Sequence, residues 1–209
     1  MDIIRSQDIP RAVPDWAEQL AQLTTDAWTD SDGRCIFPYK PLTQAGFWAD
    51  VIARGWHDGS MESWVLVADG RIATHAALLN KGEYWELGRL LAVNAPAGGT
   101  HEVCKERLAF TRKQGIHARM ECTQAHTSAQ WHADRVGLRF AGLGFLDKID
   151  GINWDIVFFD TLDAQESEPR HGILADPLGQ LIECDDQARA RLREIEPILT
   201  TDRGGSLPP

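Results

Sequence analysis

The chain has 209 residues and a formal net charge of −10, with 43% hydrophobic and 25% charged residues. This length and composition predict one soluble globular domain with a sizeable core. The acidic balance disfavours nucleic acid or an anionic membrane as a general partner, because both require a basic protein surface. No apolar run reaches the length of a membrane span, and the start MDIIRSQDIP lacks a signal-peptide pattern, so we expect a cytoplasmic protein.

Cysteine spacing gives no sign of a metal site or a disulfide framework. The four cysteines, at positions 35, 104, 122 and 184, form no C-x-x-C pair. Isolated cysteines are mostly buried small side chains. We therefore predict no metal centre and no cysteine nucleophile.

Periodicity in the first half predicts a short strand, two helices and three strands. The opening MDIIRS favours a strand, and Asp69-Gly70 between two apolar runs is a hairpin signal. The helices are predicted at Asp15–Trp28 and from Thr43, as the cap, to about Trp56. Phe47, Val51 and Ile52 are predicted to face inward. The three strands are predicted at Ser63–Ala68, Arg71–Asn80 and Glu83–Val93.

The second half continues with alternating helices and strands up to Asp160. The predicted elements are a helix at Thr100–Gln114, a strand at His117–Thr123, a helix at Thr127–Val136, and a hairpin of Phe140–Lys148 and Ile152–Asp160. Beyond Asp160 the pattern weakens, apart from a helix predicted at 184–194 and a polar tail. We therefore predict a domain over residues 1–161 and a C-terminal extension over 162–209.

A loop of small residues joins the third of these strands to the next helix, and this order suits a phosphorylated ligand. Asn94-Ala95-Pro96-Ala97-Gly98-Gly99 cannot continue a strand, because Pro96 lacks an N–H and glycines favour turns. Thr100 is predicted as the helix cap. The N–H groups at such a helix start favour an anion such as pyrophosphate.

This loop resembles the pyrophosphate loop of the GNAT N-acetyltransferase superfamily, whose pattern is Gln/Arg-x-x-Gly-x-Gly/Ala. Gly98 and Thr100 take the two small positions, and Ala95 replaces the usual Gln or Arg. A second GNAT pattern, Asn-x-x-Ala-x-x-x-Tyr-x-x-x-Gly-Phe, is similar to the segment from His126 to Leu138. In that segment His126 replaces the Asn and Ala133 replaces the Tyr.

The resemblance covers roughly residues 63–160 and implies both a fold and a donor. The implied fold is α+β, with a mixed, mostly antiparallel central sheet and helices on both faces. The implied donor is acetyl-CoA or another acyl-CoA. Its pantetheine would pair with the main chain of Leu91, Ala92 and Val93, and its pyrophosphate would lie on Gly98, Gly99 and Thr100.

The resemblance also implies candidates for proton transfer. Glu86 lies where GNAT enzymes often place the general base that takes the proton of the amine. Its alternative role is an ion pair with Arg89, if a bulge puts both side chains on one face. Ala133 cannot act as the usual tyrosine acid, so His126 is the candidate replacement, with a structural role as the alternative.

The acceptor is expected to be a small-molecule amine held by the segment that forms the acceptor wall in GNAT folds. The candidate contacts are Phe37, Tyr39, Trp48 and His75, although a buried structural role is the alternative for His75. Neither nucleic acid nor a membrane is an expected partner, and a homodimer is a candidate assembly.

Two rival functions remain open. Glu86-Leu-Gly-Arg89 is similar to the Glu-x-x-Arg motif of acyl-homoserine-lactone synthases, which take acyl chains from carrier protein. The N-terminal signature of those enzymes is not found. The second rival is a non-catalytic ligand-binding protein, which the replaced Tyr and Gln/Arg positions favour.

Overall fold

The computed structural model describes residues 2–30, 32–37, 39–82, 84–123, 127–149 and 152–161. The chain forms two compact units, of which the first ends at Ala118 and the second begins at Arg119. The predicted helix at 184–194 and the rest of the extension from residue 162 lie outside the described residues. The boundary at residue 161 therefore stays a prediction.

The first unit is built on four antiparallel strands in the order β1-β2-β3-β4. These strands are β1 (Asp2–Arg5), β2 (Met61–Ala68), β3 (Arg71–Asn80) and β4 (Trp85–Ala92). β3 is a central strand with eight consecutive buried residues, because helices cover both of its faces. All four predicted strands are confirmed, and each begins or ends within a few residues of its expected bounds.

Two helices cover one face of this sheet. Helix α1 (Trp16–Ala27) buries Leu20 and Leu23, as its spacing predicts. Helix α2 consists of three contiguous segments, Ala45–Phe47, Trp48–Ile52 and Ala53–Asp58, of which the middle one is a π-helix.

The start and the inward face of α2 differ from the prediction. Thr43 does not cap the helix, because its hydroxyl donates to the Lys40 carbonyl in a preceding 3₁₀ turn. Val51 is 47% exposed, whereas Trp48 is fully buried. The π-helical turn accounts for this difference, because its wider turn, closed by i→i+5 hydrogen bonds, shifts the side chains away from regular α-helical positions.

The third helix, α3 (Gly99–Lys113), packs on the opposite face of β2 and β3. Trp64 contacts Phe110 of α3, while its neighbour Val65 packs into the core shared with α1 and α2. Successive strand residues point to opposite faces, so α3 and the first two helices lie on different sides of the sheet.

From the end of the first unit onward, the described residues form three antiparallel strands and a helix. They are β5 (Ala118–Thr123), α4 (Thr127–Arg135), β6 (Arg139–Ile149) and β7 (Ile152–Asp160). β7 pairs with β5 on one side and with β6 on the other, which confirms the closing hairpin. The fold class is therefore α+β with a mostly antiparallel sheet, as the sequence resemblance implies. Among the described helices, none combines the length and apolarity that crossing a membrane requires.

Candidate functional site

A bulge in β4 dominates the geometry of the candidate site. His75 of β3 pairs with Leu91, and Ala77 pairs with Gly88, so Arg89 and Leu90 lie opposite the single residue between them. Arg89 has a φ of +52°, in the left-handed region that side chains rarely adopt. This combination of an extra residue and a left-handed backbone is typical of a β-bulge.

His75 holds the bulge from the face covered by α1 and α2. Its Nδ1 lies 3.0 Å from the Arg89 carbonyl oxygen and its Nε2 lies 3.1 Å from the Ser63 hydroxyl. The carbonyl can only accept, so Nδ1 carries the proton and Nε2 accepts from Ser63. Ser63 in turn accepts a 3.0 Å hydrogen bond from the Trp56 indole N–H. Every polar atom in this buried chain therefore has a partner.

The imidazole of His75 is neutral in the folded protein. The ring is fully buried, and burial lowers its pKa from 6.5 to about 3. Its edge also packs against the ring of Trp48, with 5.1 Å between centroids. Trp48 is itself fully buried and donates its indole N–H to the Leu42 carbonyl. The structure thus places His75 and Trp48 in the core, so neither side chain is exposed to an acceptor.

Arg107 of α3 holds the same bulge from the opposite face. Its Nη1 donates 3.0 Å hydrogen bonds to the carbonyl oxygens of Ala77 and Gly88, the pair that precedes the bulge. The side chain is 2% exposed. Sequence reasoning missed Arg107, because a basic residue inside a polar helix carries no signal of its own. Its spacing from Val103 and Cys104, which places it on the buried face of the helix, was the available signal.

Beyond the bulge, the ladder to β3 determines which main-chain groups remain available. The Val93 N–H donates to the Ala73 carbonyl at 3.0 Å, so it cannot serve a ligand. Leu91 is aligned with His75 and Ala92 with Thr74. Hydrogen-bonded pairs alternate along an antiparallel ladder, so the N–H of Ala92 points away from β3. Of the three predicted main-chain contacts, the Ala92 N–H is thus the one that is not directed toward β3.

The loop after β4 has the backbone shape expected of an anion cradle. Asn94 has a φ of +52° and Gly98 a φ of +78°. The Gly99 N–H donates to the Pro96 carbonyl at 2.8 Å, which closes the turn. A Cβ added at Gly98 would meet no atom within 4 Å, so the space over this residue is open.

The helix after this loop begins one residue earlier than predicted. Gly98 is the N-cap of α3 and Thr100 lies within its first turn, so the predicted cap at Thr100 is wrong. The Thr100 hydroxyl instead lies 3.2 Å from that of Thr74 on β3. This contact fixes the helix start against the sheet. The Thr100 hydroxyl therefore does not cap the N–H groups of the first turn.

Glu102 adds a negative charge to this first turn, but it is paired. Lys105 donates to both carboxylate oxygens of Glu102, at 3.0 and 3.2 Å. The pair lies one turn into α3, with about half of each side chain exposed. Lys105 therefore offsets the carboxylate that would otherwise compete with a bound phosphate.

Glu86 lies on the α1–α2 face of β4 with its carboxylate held in a defined position. Oε2 is 2.8 Å from the Lys81 ammonium, and the side chain is 15% exposed. Oε1 lies directly over Gly88, 2.2 Å from where a Cβ would be. The alternative role predicted for Glu86, an ion pair with Arg89, is replaced by this pair with Lys81. Gly88 is required here because any side chain would displace the carboxylate.

Aromatic side chains of the segment before α2 lie on the same face of the sheet. Tyr39 is 49% exposed and meets Phe47 edge-on, with 5.7 Å between ring centroids. Phe37 is partly buried against Trp28, at 5.1 Å. Tyr39 is therefore the most accessible of the predicted acceptor contacts.

A separate groove of about 600 Å³ lies where β4 ends. Among the described residues that line this groove, the charged side chains are one cation, Arg71, and four carboxylates, those of Asp15, Glu18, Asp26 and Asp69. Such a wall repels an anion, so a pyrophosphate is better accommodated at the start of α3.

Two residues of the predicted site belong to the chain beyond Arg119. His126 lies outside the described residues, so its role as the acid stays a prediction. Ala133 is described and is fully buried in α4. A tyrosine at this position would have to displace its neighbours. Within the described residues, no group of three His, Cys, Asp or Glu side chains could hold a metal ion.

Comparison with solved structures identifies the fold. A ribosomal-protein-alanine N-acetyltransferase from Brucella melitensis has a TM-score of 0.61 at 14% identity, over 77% of this chain and 99% of that one. A putative acetyltransferase from Acinetobacter baylyi ADP1 has a TM-score of 0.61 at 12% identity, over 80% and 96%. A probable GNAT-family acetyltransferase from Chromobacterium violaceum has 0.54 at 16% identity, over 69% and 80%. No family model and no curated protein matches the sequence. The fold is that of the GNAT acetyltransferases.

The buried histidine makes a pH-dependent prediction. The unfolded chain binds a proton at His75 near pH 6.5, but the folded chain does so only near pH 3. The stability gained from a neutral His75 is therefore complete above pH 6.5 and is lost as the pH falls toward 3. We expect His75→Gln to be less stable than the parent at pH 7.5. The difference should shrink by about 1.4 kcal/mol for each pH unit below 6, because the variant has no such proton to bind.

Urea unfolding of both proteins between pH 7.5 and 5 measures this difference. The other histidines are common to both chains, so their contributions cancel. A difference that stays constant over this range would show that His75 does not titrate on unfolding.

Proposed function

We propose that the protein is an acyl-CoA-dependent N-acyltransferase, in its simplest form an N-acetyltransferase, that acts on a small-molecule amine. The observation that carries this proposal is the bulged β4, which runs directly into the glycine loop and the start of α3. Within residues 86–99 the chain thus presents the Glu86 carboxylate, the Ala92 N–H and the glycine loop, in this order. Acyl transfer from acyl-CoA uses a group of each kind: one accepts the amine proton, one donates to the acyl oxygen and one holds the cofactor.

The residues of the loop fit a pyrophosphate. Gly98 combines a positive φ with open space, so a ligand can approach the main chain where any side chain would intervene. The first turn of α3 supplies the positive end of the helix dipole, and the ion pair with Lys105 offsets the negative charge of Glu102 there. These groups would hold the phosphates.

The chain supplies separate groups for the acyl carbonyl and the amine. When bound, acyl-CoA provides an activated thioester carbonyl. The Ala92 N–H is directed to donate to an oxygen that gains negative charge, because the ladder leaves it unpaired with β3. Glu86 accepts the proton of the amine, and Lys81 holds the carboxylate in place through Oε2. His126 remains the proposed source of the proton for the leaving thiolate.

The rival functions make different binding predictions. A carrier-protein-dependent transferase would be stabilised by acyl-carrier protein in preference to acyl-CoA. A non-catalytic relative would bind acyl-CoA and turn over no amine. Thermal unfolding with free CoA, acetyl-CoA, longer acyl-CoAs and acyl-carrier protein separates these cases, because only ligands that bind the folded state raise the melting temperature.

The first functional prediction concerns the loop. Gly98→Glu should abolish acetyl-CoA binding, because the new carboxylate would occupy and repel the phosphate position. Gly59→Glu is the matched control, since Gly59 has a φ of +74° and equally open surroundings at the end of α2. Both variants carry the same backbone strain, so their losses of stability should be similar. Calorimetry that finds parental affinity in Gly98→Glu would remove the phosphate site from this loop.

The second functional prediction concerns proton transfer. Glu86→Gln keeps the size of the side chain but cannot accept the amine proton. We expect kcat to fall about 100-fold or more, while the Kd for acetyl-CoA changes less than about twofold. Glu106→Gln, on the exposed side of α3, is the control and should retain full activity. Equal turnover by Glu86→Gln and the parent at every pH would make Glu86 a structural residue.

A further inference from the structure

The guanidinium of Arg89 lies on the same face of the sheet as Glu86. Residues three apart on a regular strand point to opposite faces, but the bulge between Gly88 and Leu91 changes this alternation. Arg89 Nη1 lies 3.4 Å from Met61 Sδ. Met61 aligns with Leu79, and Leu79 aligns with Glu86, so these three form one row across the sheet. The Arg89 guanidinium therefore lies on the same face as this row, which ends at Glu86, the candidate general base.

This half-buried guanidinium has few protein partners. Among the described residues, the thioether of Met61 is its one hydrogen-bond acceptor. Sulfur is a weak acceptor, and a guanidinium has five N–H donors in a planar fork. Glu86 is close enough to act on it electrostatically, but its carboxylate is bonded to Lys81.

Arg89 is also partly withdrawn from solvent. Burial lowers the pKa of its guanidinium, and the negative charge of Glu86 only partly opposes this effect. Tyr39, the exposed aromatic of the acceptor wall, lies near it. A partly desolvated guanidinium with unused donors favours a planar anion, because less hydration is lost on binding.

We propose that Arg89 binds a carboxylate of the acceptor, so that the substrate is an amino acid or a similar amine that carries a carboxylate. This inference rests on the proposed function and names its substrate class. The fork of Arg89 takes the carboxylate, Glu86 receives the proton of the amine, and Tyr39 and Phe47 contact the side chain. Arg89 is thus a specificity-determining residue, displayed by the left-handed backbone of the bulge.

The experiment compares acceptors that differ only in the carboxylate. Transfer from acetyl-CoA is measured with phenylalanine and with phenethylamine, which lacks the carboxylate, and with phenylalaninamide as a neutral analogue. We expect kcat/KM for phenylalanine to exceed that for both analogues by about 30-fold or more. A ratio near one in the parent protein would overturn the proposal and needs no variant.

Variants of Arg89 then assign this preference to one side chain. Arg89→Gln should remove the preference by lowering kcat/KM for phenylalanine alone, and Arg89→Lys should retain only part of it, because lysine lacks the planar fork. Arg71→Gln is the control, since it removes the same charge from an exposed position at the start of β3. If Arg89→Gln slows all three acceptors equally, Arg89 acts through Glu86 or the fold, and the proposal is wrong.

Binding of a product separates this inference from the proposed reaction. N-acetylphenylalanine should raise the melting temperature of the parent and of Arg71→Gln, but not that of Arg89→Gln, and N-acetylphenethylamine should raise none. This result supports carboxylate binding by Arg89 even if no amine is acetylated, an outcome that would refute only the reaction. Equal stabilisation of Arg89→Gln by N-acetylphenylalanine would exclude Arg89 as the carboxylate site.

Discussion

The buried hydrogen bond from the His75 imidazole to the Arg89 carbonyl is the interaction on which the candidate site depends. A left-handed backbone costs about 1–2 kcal/mol for a residue with a side chain. His75 offsets this cost from one face of the sheet, and Arg107 does so from the other by binding the carbonyls of Ala77 and Gly88. Without these bonds, the buried carbonyl groups around the bulge would lack partners.

The bulge decides which side chains can act together. In a regular strand, Glu86 and Arg89 would point to opposite faces. The extra residue turns both toward the face covered by α1 and α2, where Tyr39 also lies. Gly88 completes this arrangement, because the absence of a side chain leaves room for the Glu86 carboxylate. The motif Glu86-Leu-Gly-Arg89 thus leaves room at Gly88 for the Glu86 carboxylate, and it does not form an ion pair between Glu86 and Arg89.

Local charge pairing is compatible with the anion sites proposed for this acidic protein. The net charge is −10, yet the guanidinium of Arg89 lies on the face proposed to hold the acceptor. Lys105 neutralises Glu102 at the start of α3, and Lys81 neutralises Glu86 on β4. The proposed binding at these positions would therefore depend on charges a few ångströms away rather than on the total charge.

The sequence by itself determined the order of the elements, the hairpin at Asp69-Gly70 and the glycine loop before α3. These features depend on hydrophobic periodicity and on the backbone freedom of glycine, which act over a few neighbouring residues. It also indicated Glu86 and Tyr39, through the resemblance to GNAT proteins. Only the tertiary structure decided that His75 and Trp48 are core residues, that Lys81 rather than Arg89 pairs with Glu86, and that Arg107 holds the bulge. The physical reason is that each of these roles is a contact between separate elements, set by strand register and helix packing, which the pattern of one segment does not encode.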